Sequence, residues 1–152
     1  MGKDTAKVLL VTGGGRGIGA ATCRLAAAAG YAVAVNYARD AAAADALVAV
    51  LRAEGADAEA FQGDMAEPGA ADALVYAVMA RWGRLTHLVN NAGITGTGSR
   101  LADADPATIA RVIDLNVTGA IMVARAGARV MATSRGGSGG VMVNVSSAAA
   151  TL

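Results

Sequence analysis

A single cysteine, Cys23, stands among 152 residues, so no disulfide can close within the chain. That usage suits a reducing compartment. Aromatic residues are only 3% of the total, which leaves the core to alanine and aliphatic side chains. Small side chains allow helices and sheet to approach closely. Charge is sparse too, at 16% of residues, with a net charge of +1 and no cluster of Lys or Arg. A basic face for nucleic acid therefore has no support. The start, Met1-Gly2-Lys3-Asp4, carries no apolar signal core, and the longest apolar stretches read as too short or too broken to span a bilayer. Nothing groups as a metal site. These absences point to a soluble, cytoplasmic protein with neither a membrane nor a nucleic-acid partner.

Hydrophobic residues are plentiful at 55%, which excludes a disordered linker, and the length suits one domain with a real core. Strand and helix patterns alternate without a linker or repeat. Lys7 to Val11 reads as a strand and Ile18 to Ala29 as a helix closed by Gly30. Tyr31 to Asn36 is a second strand, and Asp40 caps a helix that runs to Glu54 before Gly55. Ala56 to Phe61 is a weak third strand, and Pro68 falls near the first turn of a helix whose buried face is Leu74, Val75, Val78, Met79 and Trp82. Thr86 to Asn90 is a fourth strand. Asp105-Pro106 opens a long helix with Ile109, Val112, Ile113, Asn116 and Ile121 at helical spacing, and Val141 to Val145 is a fifth strand. Such alternation implies a doubly wound parallel α/β sheet, a three-layer α/β/α arrangement with ligands at the carboxyl ends of its strands.

Glycine is abundant, with 20 residues, and its densest run is Thr12-Gly13-Gly14-Gly15-Arg16-Gly17-Ile18-Gly19. Placed between a strand and a helix, it suits a phosphate held by backbone N–H groups. The spacing Gly-x-x-x-Gly-x-Gly is neither Gly-x-Gly-x-x-Gly nor a P-loop, because Gly19 is followed by Ala20 and Ala21 rather than Lys and Ser or Thr. Asn36, Asp64, Asn90 to Gly93 and Ser146-Ser147 all fall at strand ends on the same side of the sheet.

Thr12 to Gly19, Asn90-Asn91-Ala92-Gly93, Asn116 and Val143-Asn144-Val145-Ser146-Ser147 together resemble the short-chain dehydrogenase/reductase family, in its order and over the whole chain. The resemblance implies a Rossmann-type sheet of order 3-2-1-4-5. It implies a pyrophosphate on the loop of Thr12, Gly13, Gly15, Arg16, Gly17, Ile18 and Gly19. By the same resemblance Asp64 and Met65 contact the adenine, while Asn91, Ala92 and Gly93 line the adenosine and ribose side. Asn116 sits at a helix bend and helps hold a relay water, and Ser147, rather than Ser146, is the catalytic serine. Asn90 is expected to pin strands and His87 to be structural.

A carboxylate at the end of the second strand would bind the ribose 2′-OH of NAD. The strand ends instead in Val35-Asn36-Tyr37, which puts Asn36 and Tyr37 at the ribose without a charge to repel a 2′-phosphate. Arg16, with Arg39 as a second contact, can pair with that phosphate. NADP(H) is therefore expected over NAD(H), with a small carbonyl or alcohol as substrate. The family's Tyr-x-x-x-Lys is missing, since the only lysines are Lys3 and Lys7. Residues 1–152 are accordingly expected to be one dinucleotide-binding domain of a reductase, inactive alone, and by analogy part of a dimer or tetramer. A non-catalytic nucleotide-binding module is the alternative. A methyltransferase is disfavoured because Thr12 stands where an acidic residue usually precedes such a loop.

Overall fold

The computed structural model describes residues 7–96 and 98–147, and Met1 to Ala6, Thr97 and Ala148 to Leu152 lie outside the described residues. The strands are β1 (Val8–Val11), β2 (Ala32–Tyr37), β3 (Ala58–Gln62), β4 (His87–Asn90) and β5 (Val141–Asn144). All pairings are parallel, in the order β3-β2-β1-β4-β5. The helices are α1 (Gly17–Ala28), α2 (Ala41–Ala53), α3 (Ala70–Trp82), α4 (Pro106–Ile113) and α5 (Ala120–Met131).

Side chains alternate across the sheet with a period of two, which divides the core into two layers. Val8, Leu10, Ala32 and Ala34 face Leu74 and Val78 of α3 and Val123 and Ala126 of α5. Leu9, Val11, Val33 and Val35 face Cys23 of α1 and Leu47, Val48 and Leu51 of α2. Helices thus lie on both faces of the sheet, as the doubly wound reading requires, but on the α1 and α2 side β5 stays open, with Val141 and Val143 about half exposed. The Cys23 thiol is pushed up to about 12 by burial, so it is a packing group rather than a nucleophile.

Local chemistry sets the helix ends. The Asp40 carboxylate accepts from Ala43 N at 3.0 Å, and that of Asp105 accepts from Ala107 N and Thr108 N. Gly30, with φ at +82°, closes α1 in the left-handed region that favours glycine. Pro68 lies close to the first turn of α3 but outside it. It lies in the turn before α3, whose N-cap is Gly69 at φ +81°, so the glycine rather than the proline starts the helix.

Between α4 and α5, Asp114–Gly119 forms a π segment that joins them into one helical run. The 26 residues Pro106–Met131 are long and apolar enough to cross a membrane by length and composition alone. This corrects the expectation that every apolar stretch is too short or too broken: the π segment carries the run through Asn116 without a break. One face packs on β4 and α3 through Val123, Ala126, Gly127 and Met131. The other exposes Ile109, Ile113, Val117 and Ile121, an apolar stripe at four-residue spacing.

His87 opens β4 at the end of the sheet away from the glycine loop. Its Nδ1 lies 2.9 Å from Thr86 Oγ1, and its ring meets Tyr31 edge-on at 4.9 Å. Burial, then the charge of Lys7, pushes its pKa below the ordinary imidazole value. Folding thus disfavours the protonated ring. The stabilisation is complete above the unfolded-state pKa of ~6.5 and is lost as pH falls from there through the folded value. Thermal midpoints measured between pH 7.5 and 5 should decline on the acid side, and His87→Gln should flatten that limb. An unchanged slope in the variant would remove His87 as its cause.

Candidate functional site

Buried polar side chains tie the ends of β1, β2 and β4 together before any ligand surface is built. Thr12 is fully buried; its Oγ1 accepts from Asn91 N and Ala92 N at 3.0 Å each and donates to Asn90 Oδ1 at 3.3 Å. Asn91 Nδ2 donates to the carbonyls of Thr12 and Gly13 at 3.0 and 3.1 Å. Asn36, 1% exposed, accepts from Gly13 N at 3.3 Å and donates to the carbonyls of Phe61 and Gly63 at 3.2 and 3.0 Å. Turn groups that leave the sheet ladder must find partners when buried, and these amides and hydroxyls supply them. Asn90 Nδ2 reaches Ala120 O at 2.7 Å and Asn144 Oδ1 at 3.2 Å, pinning β4 to β5 and to the long helix.

Four residues expected against a ligand are buried here. Thr12 and Asn36 have their side-chain polar atoms committed inside the protein. Gly19 is buried because a Cβ there would lie 2.3 Å from Gly13 O; helix and loop touch backbone to backbone. The Met65 side chain, 4% exposed, belongs to the core between α3 and α5.

The groove surface comes from their neighbours. Arg16, Gly17 and Ile18 are exposed, Gly13 and Gly15 half-buried. Gly17 has φ +55°, and a Cβ there would meet nothing within 4 Å, so the turn opens onto free space. α1 starts at this point with no side chain capping its first N–H groups. Such a terminus favours an anion. Tyr37 is half-buried at the end of β2, followed by exposed Ala38 and Arg39. The next carboxylate, Asp40, is engaged as the α2 cap.

Asp64 follows β3. Its Oδ2 receives Arg111 Nη2 at 2.5 Å and its Oδ1 receives Ala66 N at 3.1 Å. Burial pushes this carboxyl up, but the Ala66 N–H, the Arg111 guanidinium and the charge of Arg39 outweigh it and hold it below the ordinary carboxylate value. Across the groove run half-buried Asn91 and Ala92 and exposed Gly93. Asn116, inside the π segment, accepts from Ile94 N at 2.9 Å and donates to Ile94 O at 2.7 Å. Ser147 is exposed just beyond β5. Among the described residues no group of three or more His, Cys, Asp or Glu is arranged to hold a metal.

Two participants escaped the sequence. Arg111 has no local signal, because its partner lies 47 residues earlier in the chain. Ile94 takes part through its main chain, which side-chain identity cannot report.

The sequence model of the family described as short chain dehydrogenase matches residues 7–152. The chain is similar to the uncharacterized oxidoreductase YgfF of Escherichia coli (strain K12), 41% identical over 145 residues that cover 95% of the chain and 59% of the relative. Among solved structures it is similar to a short chain dehydrogenase from Burkholderia cenocepacia J2315 in complex with NADP. That likeness has a TM-score of 0.78 at 44% identity and covers 81% of this chain and 50% of the other. It is also similar to the NADH-dependent reductase A1-R′ responsible for alginate metabolism, with a TM-score of 0.87 at 31% identity over 95% and 60% of the two chains. The chain thus spans between half and two-thirds of the length of these relatives.

Proposed function

The chain belongs to the short-chain dehydrogenase family, and on that premise we propose that it forms the NADP(H)-holding part of an oxidoreductase acting on a carbonyl or secondary alcohol. The observation that carries this reading is the open turn at Gly17, at the uncapped start of α1, with Arg16 exposed beside it. A side chain at Gly17 would fill the space that a pyrophosphate needs. When bound, the dinucleotide supplies the hydride. Gly13, Gly15, Gly17 and Ile18 would hold its pyrophosphate, and Asp64, Asn91, Ala92 and Gly93 its adenosine and ribose side.

The preference for NADP rests on Arg16 and Arg39, with Tyr37 between them and the buried strand. No carboxylate lies between Tyr37 and Asp40, and Asp40 is occupied at its helix. Ser147 would orient the substrate oxygen. The Asn116 side chain is bonded to Ile94 on both its polar atoms, so any contribution to a relay water would come from its main chain in the widened π turn. The exposed stripe Ile109, Ile113, Val117 and Ile121 supports self-association through the long helix.

Parallel titrations with NADPH, NADH and S-adenosylmethionine test the reading. NADPH should bind tightest, and Arg16→Ala should cut the NADPH-over-NADH ratio by roughly tenfold, as loss of one charge-assisted hydrogen bond implies. Equal binding of the two nicotinamides, or a ratio untouched by the substitution, would overturn the NADP assignment. These 152 residues hold no Tyr-x-x-x-Lys. Ketone reduction by this chain alone would therefore overturn the division of roles, and binding without turnover agrees with it.

A further inference from the structure

We propose that Arg111 is a positioning residue of the nucleotide groove: it locks Asp64 to the helix whose Asn116 holds the facing loop. The inference rests on the cofactor reading above and goes beyond it. Asp64 and Arg111 belong to different layers of sequence, a turn after β3 and the last part of α4. Their side chains are 19% and 32% exposed, so the pair is sheltered rather than a rim contact screened by solvent. With Ala66 N on its other oxygen, the Asp64 carboxylate is held at both ends.

A second attachment lies one residue along. The Met65 carbonyl rests against Gly119, where a Cβ would stand 2.4 Å from that oxygen. The turn after β3 is thus joined to the helix at Arg111 and again at Gly119. Between those points Asn116 grips Ile94 N and O, and a Cβ on Gly93 would lie only 3.4 Å from Asn116 Oδ1. One helical segment, from Arg111 through the π turn to Gly119, therefore carries both walls of the groove. The charges facing Asp64 are Arg111 from α4 and Arg39 from the loop after β2. Removing Arg111 leaves the carboxylate with Ala66 N–H and the more distant Arg39, free to swing from the position that an adenine amino group would meet.

The test is NADP+ affinity by calorimetry for wild type, Arg111→Met and Arg111→Lys between pH 3.5 and 8, with melting temperatures alongside. Arg111→Met retains the aliphatic stem and should weaken binding by about tenfold at pH 8. The ratio of its Kd to that of wild type should stay level down to pH 5 and widen only below about pH 4.5, where Asp64, no longer held below the ordinary value of ~3.9, begins to protonate. The ligand's own ionisation cancels in that ratio. Arg111→Lys keeps the charge and should recover most of the loss and the flat ratio. Adding Asp64→Asn to Arg111→Met should cost little more, because the two act as a unit. Wild-type affinity in Arg111→Met, or a pH-independent loss that Arg111→Lys does not recover, would overturn the proposal and leave the pair a fold contact. Failure of wild type itself to bind NADP+ would instead overturn the cofactor reading, and this inference with it.

Discussion

Gly19→Ala is expected to abolish measurable NADPH binding and to lower the melting temperature by roughly 10 °C. Alanine is the better helix former, by about 1 kcal/mol, so propensity alone favours the substitution. Contact geometry decides against it. The added Cβ would meet Gly13 O at 2.3 Å, Asn91 Nδ2 at 2.8 Å and Gly14 Cα at 2.9 Å. Two of these are main-chain atoms of the very turn that shapes the groove, and Asn91 is itself bonded to that turn. None can move without displacing the loop. Overpacking of this kind costs about 3 kcal/mol, and a domain of this size loses ~2–4 °C for each kcal/mol. Gly17→Ala is the control: its Cβ has open space, so only the φ of +55° is unfavourable. The control should melt within a few degrees of wild type while still obstructing the ligand surface. A Gly19→Ala protein with wild-type melting and binding would show that the loop does not need this backbone contact.

Asn36→Ala carries the second large effect, and it falls on stability first. The substitution strands Gly13 N–H and removes a bond from each of the carbonyls of Phe61 and Gly63, at a position that is 1% exposed. Each buried group left without a partner costs about 1–3 kcal/mol, and water entering the space recovers part of it. A net loss of about 4 kcal/mol is expected in urea unfolding, against a typical total of ~5–15 kcal/mol. Asn36→Asp should be worse still. It keeps an acceptor for Gly13 N–H but loses both donated bonds and places a carboxylate where solvent does not reach. An Asn36→Ala protein with an unchanged urea midpoint would return this residue to the ligand surface. Cofactor affinity should fall in both variants because the Gly13 turn loses its anchor.

Asn36 also marks the limit of reading a groove from motifs. The end of β2 was legible as a place without a carboxylate, and that survives: Tyr37, Ala38 and Arg39 follow, and Asp40 is occupied at α2. Which residue of Val35-Asn36-Tyr37 meets solvent was not legible. Strand alternation offers each of them a face, but the loop after β1 and the turn after β3 both close over Asn36. Gly19 repeats the lesson. Its spacing from Gly13 and Gly17 identifies the motif, yet only the third dimension separates a glycine that faces a ligand from one that admits a neighbouring backbone. Arg111 was invisible because a helical arginine that points at another segment looks the same in sequence as one in solvent.

By itself the sequence determined the order of elements, the turn chemistry and the family. Those depend on hydrophobic period, on capping residues and on glycines near positive φ, all of which act over a few neighbouring residues. Only the tertiary structure decided which motif residues are exposed at the strand ends and which are buried in hydrogen bonds between them. That division depends on hydrogen bonds between strand ends far apart in sequence, where a buried donor or acceptor must be matched before any surface is left for a ligand.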